Sequence, residues 1–200
     1  IGCGYESQLE SVYRFLVDPA PYQDINVGPD GAIVKTGVDQ VLLDQRKAFL
    51  RPDSMVIVLS LSDENDCSTK EEGQFYFANQ QKTGNGSPFH LPKARAVCAT
   101  NPNDECCLSC GQMGPLDANG DPLCAADPSC KNANGQTLYL DEVSDNINLR
   151  CFHQKERFGI DFLYPTERYV NAFTQTTITD AAGNVVPNPI FSDLDPSDAN

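Results

Sequence analysis

Asp63-Glu64-Asn65-Asp66 sets three carboxylates and an amide oxygen in four consecutive positions. Hard oxygen donors of this kind suit Mg2+ or Ca2+. They follow, after Ser62, the apolar run Met55-Val56-Ile57-Val58-Leu59-Ser60-Leu61, and in open α/β sheets ligands gather at the carboxyl ends of strands. The same four residues also suit a solvated loop in which an aspartate caps the next helix. A second oxygen-rich spacing, Asp117, Asn119 and Asp121, imitates the start of an EF-hand loop. Pro122 stands where that loop needs glycine and Pro128 where it needs a bidentate glutamate, so a plain hairpin turn is expected there. The two histidines, His90 and His153, are the side chains suited to act as bases near neutral pH. Neither lies in a nucleophile elbow, an H-E-x-x-H helix or a Cys-His protease context. No catalytic residue is assigned.

The nine cysteines carry the strongest compositional signal. Cys98, Cys106, Cys107, Cys110, Cys124 and Cys130 crowd into one stretch, with Cys151 just beyond it and Cys3 and Cys67 apart. Such density suits an oxidising compartment, where disulfides staple segments too poor in apolar residues to pack alone. Cys107 and Cys110 form a C-x-x-C, the element of a zinc site, but a zinc ribbon would want a second such pair. Disulfides among these residues are therefore expected over zinc. An odd count leaves one cysteine free or bonded elsewhere.

Fourteen basic residues stand against 28 acidic ones, for a formal charge of −14. No basic stripe is available to neutralise phosphates, which argues against nucleic acid, and the charge argues against anionic membrane surfaces. No apolar run approaches the ~20 residues of a membrane span. Ile1 is not a start methionine and no signal-like segment follows it, so the chain reads as an excerpt of an exported precursor.

The elements that would position the acidic loop follow from periodicity. Tyr5, Leu9, Val12, Tyr13 and Leu16 recur as one face of a helix that Asp18-Pro19 stops. Gly28-Pro29-Asp30-Gly31 is a turn between short strands around Ile25 and Ile33. A second helix follows, with Val38, Val41, Leu42, Ala48 and Phe49 on its buried side. Met55 to Leu61, β-branched and without alternation, reads as a strand buried on both faces. Gln74 to Phe77 and Phe158 to Tyr164 read as further strands. Pro165 opens a helix through Phe173, and 174–179 with 185–191 form a hairpin across Asp180 to Asn184.

Ser54 to Glu64, preceded by two helices, resembles the fourth-strand region of von Willebrand factor A-like domains. Gly2 to Glu6, Leu61 to Cys67 and Phe158 to Pro165 are similar to a group of exported bacterial proteins that carry such a domain. The resemblance implies a doubly wound sheet and a metal-ion-dependent adhesion site in which Asp63 is the matching aspartate. The family's D-x-S-x-S signature is absent, and its coordinating threonine would fall before Ile1.

The expected architecture is thus an α/β protein with an incomplete doubly wound, A-domain- or Rossmann-like parallel sheet and a cysteine-rich, disulfide-stapled insertion. Its parts are an A-domain-like stretch over 1–97, the insertion over 98–151 and a return to the α/β domain over 152–200. Cys3 and Cys67 are expected to pair, since both would lie at the carboxyl edge of that sheet. The expected function is that of a non-enzymatic adhesion module, extracellular, periplasmic or at the cell surface. It would bind a protein or cell-surface ligand with help from Mg2+ or Ca2+ at Asp63. A secreted metal-dependent hydrolase using the same acidic loop and a structural envelope protein are the alternatives.

Overall fold

The computed structural model describes residues 5–51, 54–72 and 75–191. Its elements in chain order are α1 (Gln8–Leu16), β1 (Asp24–Val27), β2 (Ile33–Thr36), α2 (Gln40–Phe49), α3 (Phe75–Asn79), α4 (Gln154–Phe158), α5 (Thr166–Thr174), β3 (Thr177–Thr179) and β4 (Val185–Pro187). The described residues fall into two compact units, one within 74–163 and the other from 5–73 together with 164 onward.

Among the described residues the expected doubly wound parallel sheet is not there. Two separate antiparallel pairs, β1–β2 and β3–β4, make up the sheet structure of the described residues. The physical reason lies in connection length. A parallel pair needs a crossover of a dozen or more residues, whereas each strand here is three or four residues long and pairs with its sequence neighbour across a tight turn. Met55 to Leu61 finds no ladder partner and is not a buried strand. Met55 is 83% exposed, Ile57 74%, Leu59 78% and Leu61 87%. Gln74 to Phe77 was expected as a strand, but Phe75 to Phe77 open the short helix α3. Phe158 closes α4, and the residues after it run outside both sheets.

The turns share one design. In Gly28–Ala32, Thr83–Ser87, Asp117–Asp121, Asn132–Gln136 and Asp180–Asn184, the first N–H donates to the fifth carbonyl and the fourth N–H donates back to the first carbonyl. The fourth residue is always glycine at positive φ: Gly31, Gly86, Gly120, Gly135 and Gly183. This is a type I turn closed by a glycine bulge. Where Asp or Asn leads, its side chain accepts the N–H groups two and four residues on, as Asp117 Oδ1 does from Asn119 at 2.8 Å and Asp121 at 2.9 Å. These bonds hold the Asp117 carboxyl below the usual range. The EF-hand-like spacing is therefore the hairpin turn that Pro122 and Pro128 imply.

In the unit built from 5–73 and 164 onward, α1 and α5 pack through Tyr13 and Tyr169, whose rings meet edge to face at 6.2 Å. Leu16, Val17, Leu50, Ala172 and Ile178 complete the core. The second helix forms as expected but turns its other side inward: Val41 and Phe49 are exposed, and Arg46 is buried. Arg46 donates from Nε to the Phe15 carbonyl at 2.5 Å and from Nη2 to the Arg14 carbonyl at 2.8 Å. It thereby satisfies last-turn carbonyls of α1 that have no partner within their own helix. Asn188 does the same for α5, donating to the Ala172 and Gln175 carbonyls.

In the 74–163 unit Leu91, Phe158, Ile160 and Phe162 are buried, and cross-links add to that packing. Disulfides join Cys98 to Cys107, Cys106 to Cys124 and Cys110 to Cys130. Cys107 and Cys110 thus bond to different partners, which rules out the shared zinc site. Cys67 and Cys151 are also disulfide-bonded. Cys3, expected to pair with Cys67, lies outside the described residues. Disulfides in this number place the folded chain in an oxidising compartment. Among the described residues no helix is long and apolar enough to cross a membrane.

Candidate functional site

Asp63 and its neighbours come out differently from one another. Asp66 is a capping residue. Its Oδ1 accepts the N–H of Leu9 at 3.0 Å and the hydroxyl of Ser68 at 2.9 Å, while Oδ2 accepts the N–H of Ser68. The Ser68 hydroxyl oxygen in turn accepts the N–H of Glu10 at 3.0 Å. Two of the free N–H groups at the start of α1 are satisfied this way. A carboxylate at that end also complements the helix dipole. Glu6 is held by Gln8 and by the Ser62 hydroxyl. Asp63 and Glu64 are exposed, and neither carboxylate is engaged among the described residues. Two free carboxylates do not fill the six or more oxygen positions of a calcium or magnesium shell. No group of three metal-ligating side chains gathers among the described residues, so the residues present do not fit a complete cation site.

Upstream of Asp63 lies the apolar run. Met55, Ile57, Leu59 and Leu61 are open to solvent, Val58 and Ser60 are exposed as well, and Val56 is the more covered residue. Val56, Ile57 and Val58 line a groove of about 320 Å³ together with Val12, Phe15, Leu16 and Phe49 of α1 and α2. Backbone N–H and C=O groups of 55–61 have no backbone partner among the described residues.

A polar cavity of this unit, about 510 Å³, is lined by arginine, tyrosine and glutamate among others. Arg168 grips Glu10 with both arms of its fork, at 3.0 and 2.9 Å, and stacks on Tyr13 at 3.7 Å and Tyr164 at 4.4 Å. Tyr169 donates to Glu10 at 3.0 Å. Tyr164 and Tyr22 both donate to Glu71. Burial first, and then the neighbouring carboxylates, push the Tyr164 phenol far up, so it stays a hydrogen-bond donor. The groups satisfy one another, an arrangement that fixes α5 against α1. Glu10 and Arg168 are 158 positions apart, and no spacing signal in the sequence links them.

Burial holds the Glu10 carboxyl above its ordinary 4.5, with Arg168 and Tyr169 pulling the other way. The folded chain then keeps this proton to a higher pH than the unfolded chain does. The contribution of Glu10 to stability is complete below about pH 4.5 and declines as pH rises through the folded-state value. Urea unfolding of wild type and Glu10→Gln, followed by circular dichroism at about pH 4 and about pH 7, tests the sign. The advantage of wild type over the variant should shrink toward neutrality. A growing advantage would mean that the Arg168 pair outweighs burial.

In the 74–163 unit, Arg150 is the centre of a second buried network. Its Nε and Nη2 donate to Asp145 at 2.8 Å each, and Nη1 and Nη2 donate to the carbonyls of Phe77, Gln80 and Phe89. Asp145 also accepts the Leu91 N–H at 2.8 Å. His90 Nδ1 lies 3.5 Å from Asp145 Oδ2 without the alignment of a hydrogen bond. His153 sits at positive φ before α4, bonded to Glu156 at 2.7 Å. Neither histidine is hydrogen-bonded to a serine, threonine or cysteine among the described residues.

Comparison with family models, with curated proteins and with solved structures finds no match.

Proposed function

We propose that the chain is a non-enzymatic, exported binding module, working at the cell surface, in the periplasm or outside the cell, and that residues 55–61 are its recognition element. The observation that carries this reading is the set of four large apolar side chains, Met55, Ile57, Leu59 and Leu61, held open to solvent next to an ordered core. Contiguous exposed apolar surface with a polar rim marks interaction sites. Covering each of these side chains is worth about 1.5–3 kcal/mol, ample for specific recognition of a protein partner.

A photo-crosslinker at position 59 tests it, with the same group at the exposed turn residue Asn119 as control. Extracytoplasmic material from the source cells should yield one major adduct through position 59 and none through 119. Adding Leu61→Lys should remove the adduct, and equal labelling from both positions would defeat the reading.

A further inference from the structure

Residues 55–61 combine three properties that together describe what covers them. Their backbone donors and acceptors are unengaged by other backbone among the described residues, and such groups are a template for another strand. Four large apolar side chains of the run stand open to solvent, while its part from Val56 to Val58 is backed by α1 and α2. The free carboxylates of Asp63 and Glu64 stand at the C-terminal end of the run, and Arg51 precedes it. We propose that this segment takes up a β-strand of a partner protein, edge to edge, and that the accepted strand carries lysine or arginine where it meets Asp63 and Glu64. The inference rests on the binding reading above and names the chemistry of the partner.

Main-chain pairing supplies affinity in such strand addition, and alternate side chains supply specificity. Charge selects the occupant. A second copy of this chain would bring its own −14, and like charges across an interface suppress association. An anionic lipid surface is repelled for the same reason. A strand with a basic flank gains at the acidic end what those occupants lose.

The test uses two fluorescein-labelled peptides of alternating valine and threonine, one ending in two lysines and the other in two glutamates, titrated against the whole chain by anisotropy. The lysine peptide should bind, and the glutamate peptide at least tenfold more weakly. Ile57→Pro removes a donor from a segment with no backbone bonds to lose and should weaken the lysine peptide at least tenfold. Leu59→Pro serves if the first variant misfolds, as circular dichroism reports. Asp63→Lys with Glu64→Lys should reverse the preference between peptides. Unchanged binding to both proline variants would overturn strand addition, and equal binding of the two peptides would overturn the choice of a basic partner. Sedimentation showing a dimer that Ile57→Pro abolishes would make the occupant a second copy and overturn the proposal. A position-59 adduct without peptide binding would leave the binding reading standing and remove only this inference.

Discussion

Gly159→Ala is expected to prevent the 74–163 unit from folding, a loss of about 4 kcal/mol or more. Gly159 ends α4 at φ +66, a conformation in which any Cβ is already strained. The larger cost comes from position. A Cβ there would fall within the backbone of Leu108 and Ser109, between residues that two disulfides hold in place. Neither side can give way, because the Leu108 carbonyl accepts the Arg95 N–H and the Ala94 N–H donates to the Arg157 carbonyl. Gly183→Ala is the control: φ is +86, but nothing lies within 4 Å of the new atom, so only the backbone strain of about 1 kcal/mol remains. Limited proteolysis and thermal melts of the two variants measure the contrast. Near-equal melts would show that the 107–110 strap can move aside.

The second large effect is expected at Arg150. Arg150→Met leaves the Asp145 carboxylate buried without a counter-charge and strips donors from three carbonyls, at a cost of about 3–5 kcal/mol. Arg150→Lys should recover little of it, since one ammonium cannot replace a planar fork that reaches Asp145 and three carbonyls at once. Asp145→Leu combined with Arg150→Met removes both charges and should be less damaging than Arg150→Met alone. Urea unfolding of the four chains checks the order. A single variant within about 1 kcal/mol of wild type would show that water replaces the guanidinium.

What local chemistry decides was legible in the sequence. The turn after Val27, the turn of Asp180 to Asn184, the helix opened by Pro165 and the hairpin nature of Asp117 to Asp121 are set by residues within five positions of one another. The cysteine cluster was legible as disulfides for a similar reason, because composition alone favours them. Long-range partners were not. An apolar run such as Met55 to Leu61 states that it prefers to be covered, and carries no information on whether a cover is present. Nor does Asp66 announce that its carboxylate reaches back to Leu9, or Glu10 that it meets Arg168. The second helix misled because its apolar residues were read as the buried side, whereas Arg46 is buried and its guanidinium finds the carbonyls of α1. In the acidic loop a capping aspartate was legible, but for the helix that follows; that Asp66 caps α1, far back in the chain, was not.

The repeated turn also sets an order of events in time. A hairpin closes in microseconds, whereas a disulfide forms over seconds to hours. The Asp117–Asp121 turn brings the Leu123 N–H onto the Pro115 carbonyl, at 2.9 Å, next to Cys124. The Cys106–Cys124 bridge spans 18 positions, but about half of that span is already folded back on itself before any thiol is oxidised. Asn132–Gln136 likewise lets the Leu138 N–H reach the Cys130 carbonyl at 2.9 Å, fixing that cysteine before it meets Cys110. The glycine turns therefore act as a jig for oxidation, presenting thiols in native register to whatever oxidant the compartment supplies and narrowing the choice among mispaired bridges.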